Sequence, residues 1–181
     1  LKDVTQFRPI TVTPVMSKVY SKTIYALASP SLKQVSPVQF AFRKGHQPHE
    51  ILFCLRSLIE KANEWQDHVW VVDGDVKKAY DFTRHSVALK ALTRDGCREL
   101  FAAAIAREWR SQGVQAKLGD VLSDRVPRKR SLVQGDPSAP DIFNHALDGP
   151  ILKLTHAAQQ NLWGVKLRQS DGSHYWCCIL V

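Results

Sequence analysis

The segment VVDGDVKKAYDF, residues 71–82, joins an apolar run directly to closely spaced carboxylates. The residues VWVV at 69–72 are β-branched and aromatic, which predicts a short buried strand. A carboxylate at the end of such a strand can face a cleft, and Mg²⁺ needs few protein carboxylates because water and substrate phosphates complete its shell. Asp73 and Asp75 are therefore candidate metal ligands, although an acidic residue after a strand is also a common loop residue or helix cap.

The sequence on both sides of this segment has helical periodicity. Apolar residues recur at steps of three and four, which places them on one face of a helix. The predicted helices cover residues 14–27, 48–65, 86–92, 98–109 and a stretch after Pro137 that Gly149 and Pro150 are expected to kink. In the first helix the face expected to be buried contains Val15, Val19, Tyr20, Ile24 and Leu27.

Short strands are predicted between and after these helices. Apolar residues flank the turn pair Gly119 and Asp120, and two further apolar runs flank Asp171 and Gly172, which is a hairpin pattern. The expected fold class is therefore α+β, without internal repeats or a Gly/Ser linker.

Composition limits the classes of protein that remain. The 181 residues, 44% of them hydrophobic, are enough for one folded unit. No run approaches the roughly 20 apolar residues of a membrane helix, so a membrane span is not expected. The chain has 25 Lys and Arg against 17 Asp and Glu, and its net charge of +8 favours polyanionic partners such as nucleic acid.

The chain begins without Met and without a signal-peptide pattern, which suggests a piece of a longer protein. Its four cysteines have no zinc-ligand spacing and are interpreted as reduced thiols, with Cys177 and Cys178 in a buried strand. We therefore expect an intracellular location.

A second informative segment is SLVQGDPSAPDIFNHALD, residues 131–148. Gly135 allows the backbone to come close to a ligand, and the Gln134 amide offers both a donor and an acceptor. The turn leads into an apolar helix.

With this segment the sequence resembles the reverse transcriptases of non-LTR (LINE-type) retrotransposons and, more distantly, those of group II introns. Four blocks occur in the order typical of that family. They are FRPITVTPVMSKVYSK at 7–22, QFAFRKGHQPHEIL at 39–52, VDGDVKKAYDF at 72–82 and SLVQGDPSAPDIFNHALD at 131–148. The chain departs from the family in reading SAP where a Ser-Pro pair is usual.

The resemblance implies a polymerase right hand, with helices packed on a small antiparallel palm sheet. Residues 1–68 would form the fingers-like part and 69–181 a palm that is incomplete at its C-terminal end. The family's second acidic pair, in an aromatic-x-Asp-Asp turn after the QGDP helix, does not occur within residues 1–181. We therefore expect this chain alone to be inactive.

The resemblance also assigns roles around the nucleotide. Asp75 matches the family's first metal-binding aspartate and would be the catalytic ligand of two Mg²⁺ ions, with Asp73 as its competitor. Arg8 and Lys18 match basic positions that contact the incoming triphosphate. Tyr80 matches the aromatic residue that excludes a 2′-hydroxyl, with a core aromatic as the other interpretation. Gln134 and Gly135 match the turn that lies against the nascent base pair.

Nucleic-acid contacts are implied for basic residues outside that site. Arg43 and Lys44 match template or nucleotide contacts, with plain surface charge as the alternative. Arg128, Lys129 and Arg130 could follow a nucleic-acid backbone, form a nuclear address or simply be solvated.

The implied function is that of an RNA-directed DNA polymerase that uses an RNA template, a DNA primer and deoxynucleoside triphosphates. One alternative is a non-catalytic RNA-binding module derived from a reverse transcriptase. Another is an unrelated basic α+β domain.

Overall fold

The computed structural model describes residues 11–128, 130–168 and 171–177. Its helices are α1 (Val15–Ala28), α2 (Pro48–Trp65), α3 (Ala79–Phe82), α4 (His85–Arg94), α5 (Glu99–Ser111) and α6 (Ala139–Gln160), and a 3₁₀ turn (Ser29–Ser31) follows α1. Its strands are β1 (Gly113–Val114), β2 (Lys117–Leu118), β3 (Val121–Leu122), β4 (Val126–Pro127), β5 (Val165–Arg168) and β6 (His174–Cys177). The α+β class is therefore confirmed.

The strands form antiparallel pairs of two. β1 pairs with β4, β2 with β3, and β5 with β6. In the last pair Val165 lies opposite Cys177 and Arg168 opposite His174. Both predicted hairpins are thus present, but the described residues do not form the single palm sheet that the resemblance implies.

The chain divides into two compact units. Unit 1 comprises Leu1–Gln34 and Lys77–Ala146, and unit 2 comprises Val35–Val76 and Leu147–Val181. This is a division by packing, so the expected boundary between fingers and palm at residues 68 and 69 stays a prediction.

Unit 1 contains the larger apolar core. Its buried members come from α1, α4, the loop between α4 and α5, α5, the segment before α6 and the start of α6. They are Ala28, Ala88, Leu92, Cys97, Ile105, Trp109, Leu132, Ala139 and Ile142. Small residues at Ala28, Ala88 and Ala139 let the helices approach closely around Leu92 and Ile142.

Unit 2 is organised around α2 and the second half of α6. The α2 helix begins with a capping box in which Gln47 and Glu50 satisfy each other's backbone N–H groups. It ends at Trp65, and the C-cap residue Gln66 terminates it with a φ of 53°, in the left-handed region. The Asp148 carboxylate accepts hydrogen bonds from the Ser36 N–H and the Gln39 Nε2, each at 2.7 Å. The helix α6 continues through Gly149 and Pro150.

Two predictions about local structure are wrong. Residues 69–72 form no strand, and Trp70 and Val72 are 92% and 93% exposed. An apolar run becomes a buried strand only when a neighbouring strand satisfies its backbone groups, and no described strand pairs with it.

The buried face of α1 also differs from the prediction. Val15 and Leu27 are exposed, whereas Ser21 and Ala28 are buried and Ile24 packs against the core of unit 1. A polar contact of Ser21, described below, selects this face.

Among the described residues, no helix is long and apolar enough to cross a membrane.

Candidate nucleotide and metal site

The QGDP turn lies in unit 1, directly before α6. Gly135 has a φ of 102°, in a region that side chains with a Cβ rarely adopt. A Cβ at this position would lie 3.4 Å from the Thr11 carbonyl oxygen, so the backbone near Thr11 passes close to the turn. The Asp136 N–H donates to the Val133 carbonyl at 3.0 Å. Gln134 is half-buried at the edge of the turn.

A buried polar cluster fixes this turn to α1. The Ser21 hydroxyl lies 2.8 and 2.9 Å from the two carboxylate oxygens of Asp136. The Ser138 N–H and hydroxyl lie 2.8 and 2.7 Å from Asp136 Oδ1, and the two serine hydroxyls are 2.8 Å apart. All three residues are less than 9% exposed. Sequence analysis missed this cluster, although an Asp followed two residues later by Ser is a pattern that favours such a turn.

Of the two basic residues expected at the triphosphate, Lys18 lies on α1 and is half-buried. It precedes Ser21 by three positions, so the two side chains lie on neighbouring parts of one helical face. Unit 1 thus contains Lys18 on the helix that Ser21 fixes to the QGDP turn. Arg8 lies outside the described residues.

Tyr80 also belongs to unit 1. Its ring centroid lies 5.1 Å from that of Phe143 on α6, and the ring packs against the core while remaining half-exposed. Burial, and then the nearby Asp141 carboxylate, raise the pKa of the Tyr80 hydroxyl. The Leu132 N–H donates to the Tyr80 carbonyl at 3.0 Å, which joins α3 to the segment that leads into the QGDP turn. This geometry is compatible with either interpretation of Tyr80.

The basic cluster at residues 125–130 is partly integrated into unit 1. Arg128 is half-buried and donates from Nη2 to the Ser131 hydroxyl at 3.2 Å. Burial lowers its pKa. The Arg130 guanidinium carbon lies 5.1 Å from the centre of the exposed Phe82 ring, a cation–π arrangement. Lys129 lies outside the described residues.

Asp73 and Asp75 belong to unit 2 and lie in the irregular segment that follows α2. Both carboxylates are exposed. Among the described residues, no three His, Cys, Asp or Glu side chains are grouped so that they could hold a metal ion. The two aspartates are hard oxygen donors that suit Mg²⁺, but they supply only part of the ligand set that two ions require. The choice between them stays a prediction.

The remaining predicted contacts, Arg43 and Lys44, also lie in unit 2. Arg43 is half-buried, and its Nη1 donates to the Gln39 carbonyl at 2.9 Å and to the Ser36 carbonyl at 3.4 Å. Arg43 therefore supports its own turn, whereas Lys44 is exposed. The contacts of Arg43 and Lys44 with a template stay predictions.

Unit 1 holds a second buried polar cluster that sequence analysis missed. His145 Nδ1 on α6 lies 2.8 Å from Asp95 Oδ2 at the end of α4, and both side chains are buried. Arg94 donates to both oxygens of Asp95 at 2.6 and 2.8 Å and to the His145 carbonyl at 3.1 Å. Burial favours a raised pKa for Asp95, but the hydrogen bonds and charges of Arg94 and His145 outweigh it, and the pKa is lowered. This cluster joins α4 to α6.

The chain is similar to known proteins. Residues 1–171 match the family described as reverse transcriptase (RNA-dependent DNA polymerase). A relative from Popillia japonica, a retrovirus-related Pol polyprotein from type-1 retrotransposable element R2, is 27% identical over 155 residues. The aligned stretch covers 85% of this chain but only 22% of the relative.

These matches support a reverse transcriptase domain of the non-LTR type, as the four sequence blocks predict. The matched range includes all four blocks. The chain belongs to the reverse transcriptase (RNA-dependent DNA polymerase) family.

Proposed function

We propose that the protein containing this chain is a retrotransposon RNA-directed DNA polymerase, which extends a DNA primer on an RNA template. The family match over residues 1–171 carries this proposal. The reaction is attack of the primer 3′-hydroxyl on the α-phosphate of a deoxynucleoside triphosphate. A bond forms between the primer O3′ and the α-phosphorus, and the bond from the α-phosphorus to the oxygen that bridges to the β-phosphate breaks. Pyrophosphate leaves, and the proton of the 3′-hydroxyl passes to solvent.

The residues of unit 1 are proposed to bind and sort the nucleotide. Lys18, with Arg8, would neutralise the triphosphate. Tyr80 would lie under the sugar and exclude a 2′-hydroxyl, and its half-exposed ring on α3 leaves it accessible for that role. Gln134 and Gly135 would lie against the nascent base pair, and the positive φ of Gly135 keeps that surface free of a side chain.

Asp75 is proposed as the metal-binding residue of this chain. Two Mg²⁺ ions, when bound, would activate the attacking hydroxyl and stabilise the leaving pyrophosphate. The exposed carboxylate of Asp75 can accept such ions together with an acidic pair from outside these 181 residues.

The template is proposed to contact Arg43, Lys44, Arg128, Lys129 and Arg130. Arg130 on Phe82 presents a cation and an aromatic ring together, a combination that suits stacked bases and phosphates. An intracellular location, nuclear or in a cytoplasmic ribonucleoprotein, is proposed with this function. Cys54 and Cys97 are free thiols, in keeping with a reducing compartment.

The test is primer extension by a protein that contains this chain and continues through the acidic pair. We expect incorporation of deoxynucleotides that depends on an RNA template and on Mg²⁺. The second candidate, an RNA-binding module, is favoured by the basic residues Lys44 and Arg130, which are exposed and accessible to a nucleic-acid backbone. Salt-sensitive RNA binding without any extension would support the binding module and contradict the polymerase.

A further inference from the structure

The buried Ser21–Asp136–Ser138 cluster has a geometry that suits positioning more than stability. We propose that this cluster, called the joint below, holds Lys18 on α1 at a fixed position relative to the QGDP turn. Ser21 and Asp136 would thus be positioning residues for the incoming nucleotide. This inference rests on the proposed function, because it requires that Lys18 and the turn bind the same nucleotide.

Short hydrogen bonds fix the position of the Asp136 carboxylate. The Asp136 carboxylate accepts hydrogen bonds from the Ser21 hydroxyl and from the N–H and hydroxyl of Ser138, all between 2.7 and 2.9 Å. Hydrogen bonds to a carboxylate are shorter and stronger than those between neutral groups. Three such donors on one buried anion define the orientation of the turn much more narrowly than apolar packing would.

The joint connects segments that are remote in the sequence. Ser21 and Asp136 are 115 positions apart. Because Asp136 immediately follows Gly135, a shift at the joint would move the backbone of the turn directly. Because Ser21 lies less than one helical turn after Lys18, the same shift would move the Lys18 side chain relative to Gln134.

Stability alone does not account for a charged group here. A buried carboxylate loses its hydration, and replacing buried polar groups with well-packed apolar residues is often neutral or stabilising. The backbone of the QGDP turn has to be held in place, because glycine at position 135 can adopt many backbone conformations besides the positive φ that it has here. The hydrogen bonds of the Ser21–Asp136–Ser138 cluster hold it in one geometry.

The variant that tests the joint is Ser21→Ala in a polymerase-competent protein containing this chain. We expect the KM for deoxynucleoside triphosphates to rise about tenfold while kcat changes less than about threefold, since the turn remains folded through Ser138 but no longer has a fixed distance from Lys18. Ser21→Thr, which restores a hydroxyl, should recover most of the change. Ser29→Ala is the matched control, because its exposed hydroxyl donates only within α1, to the Ala26 carbonyl at 3.2 Å.

The kinetic split separates positioning from a loss of folded protein. A merely structural role would lower the apparent kcat in proportion to the unfolded fraction and leave KM unchanged, and that result would overturn the inference. If Ser21→Ala does not fold, Ser21→Cys carries the same test, because the thiol fills the site of the hydroxyl but is only a weak donor to the Asp136 carboxylate. An unchanged KM in folded Ser21→Cys would likewise contradict the joint.

The outcome for the parent protein distinguishes this inference from the proposed function. A parent protein without RNA-templated synthesis would overturn the proposed function and, with it, the joint. An active parent whose Ser21→Ala variant keeps its KM would overturn the joint alone. Non-additive effects of Ser21→Ala and Asp136→Asn on KM would support direct coupling between the two residues.

Discussion

At the residue scale, Tyr80 combines two environments in one side chain. Its ring packs on Phe143 and the core of unit 1, and the side chain remains half-exposed. Such a side chain can contribute to packing, to sugar selection or to both. Replacing it with side chains of different size separates these contributions.

We predict that Tyr80→Val increases ribonucleotide incorporation relative to deoxyribonucleotide incorporation. The smaller side chain leaves room for a 2′-hydroxyl, and a steric difference of this size changes discrimination by about 1–3 kcal/mol. The measurement is the ratio of kcat/KM for the two sugars, with Tyr80→Phe as the control that keeps the ring. Unchanged selectivity in folded Tyr80→Val would leave Tyr80 as a core aromatic residue.

Asp73 and Asp75 differ only in their match to the family pattern, because both are exposed in the same segment. We predict that Asp75→Ala abolishes nucleotide addition in a protein that includes the acidic pair, while RNA affinity is retained. Loss of a metal ligand removes stabilisation of the transition state more than it removes ground-state binding. Asp73→Ala is the matched comparison. Normal extension by Asp75→Ala, with loss in Asp73→Ala, would reverse the assignment.

At the scale of elements, the QGDP turn depends on glycine at one position. We predict that Gly135→Ala lowers the free energy of unfolding by about 1–3 kcal/mol, because a Cβ is strained at a φ of 102°. Gly74→Ala is the control, since a Cβ there meets nothing within 4 Å and the backbone is not in the left-handed region. Equal stability of the two variants in denaturant titrations would show that the turn does not require this conformation.

The junction of α4 and α6 predicts a pH dependence of stability. The pKa of Asp95 is lowered from its usual value of 3.8, so its ionised form stabilises the folded state. This contribution is fully present above the unfolded pKa and is lost as the pH falls through the folded pKa. Asp95→Asn should therefore be less stable than the parent protein above about pH 4, and the difference should shrink at lower pH.

Free energies of unfolding measured between about pH 3 and 6 check this prediction. Asp124→Asn, which removes an exposed carboxylate from the strand region, is the control. A difference between Asp95→Asn and the parent that stays constant over this range would contradict a role for the ionised Asp95 carboxylate at the junction.

Elements with strong local patterns could be predicted from the sequence. The helix α2 begins at Pro48 and ends at Trp65, as its periodicity indicates, and the Asp171–Gly172 pair marks a hairpin. The sequence wrongly predicts a strand at 69–72, because strand formation depends on a partner strand and not on the apolar run itself. The buried face of α1 follows a distant carboxylate, Asp136, and such tertiary contacts leave no mark in local periodicity.

The candidate site was predictable only in part for the same reason. The resemblance to the reverse transcriptases indicates Lys18, Tyr80 and the QGDP turn, and unit 1 contains all three. It does not indicate Ser21 or His145, whose importance comes from partners 115 and 50 positions away.

At the scale of the whole molecule, charge and the missing acidic pair lead to different expectations for binding and for chemistry. The net charge of +8 is present in residues 1–181, so RNA binding should be retained. With about five phosphate contacts on single-stranded RNA, affinity should fall roughly a hundredfold between 50 and 200 mM salt. The proposed two-metal chemistry would need carboxylates from two places, and only Asp75 is proposed for this role within these residues.

The most direct test compares residues 1–181 with the same chain extended through an acidic pair, in RNA-templated primer extension and salt-dependent RNA binding on the same preparations. We predict that both proteins bind RNA with affinity that falls steeply as salt rises, and that only the extended protein synthesises DNA. Robust extension by residues 1–181 would show that the catalytic carboxylates are misassigned, and absent or salt-insensitive RNA binding by both proteins would contradict the reverse transcriptase account.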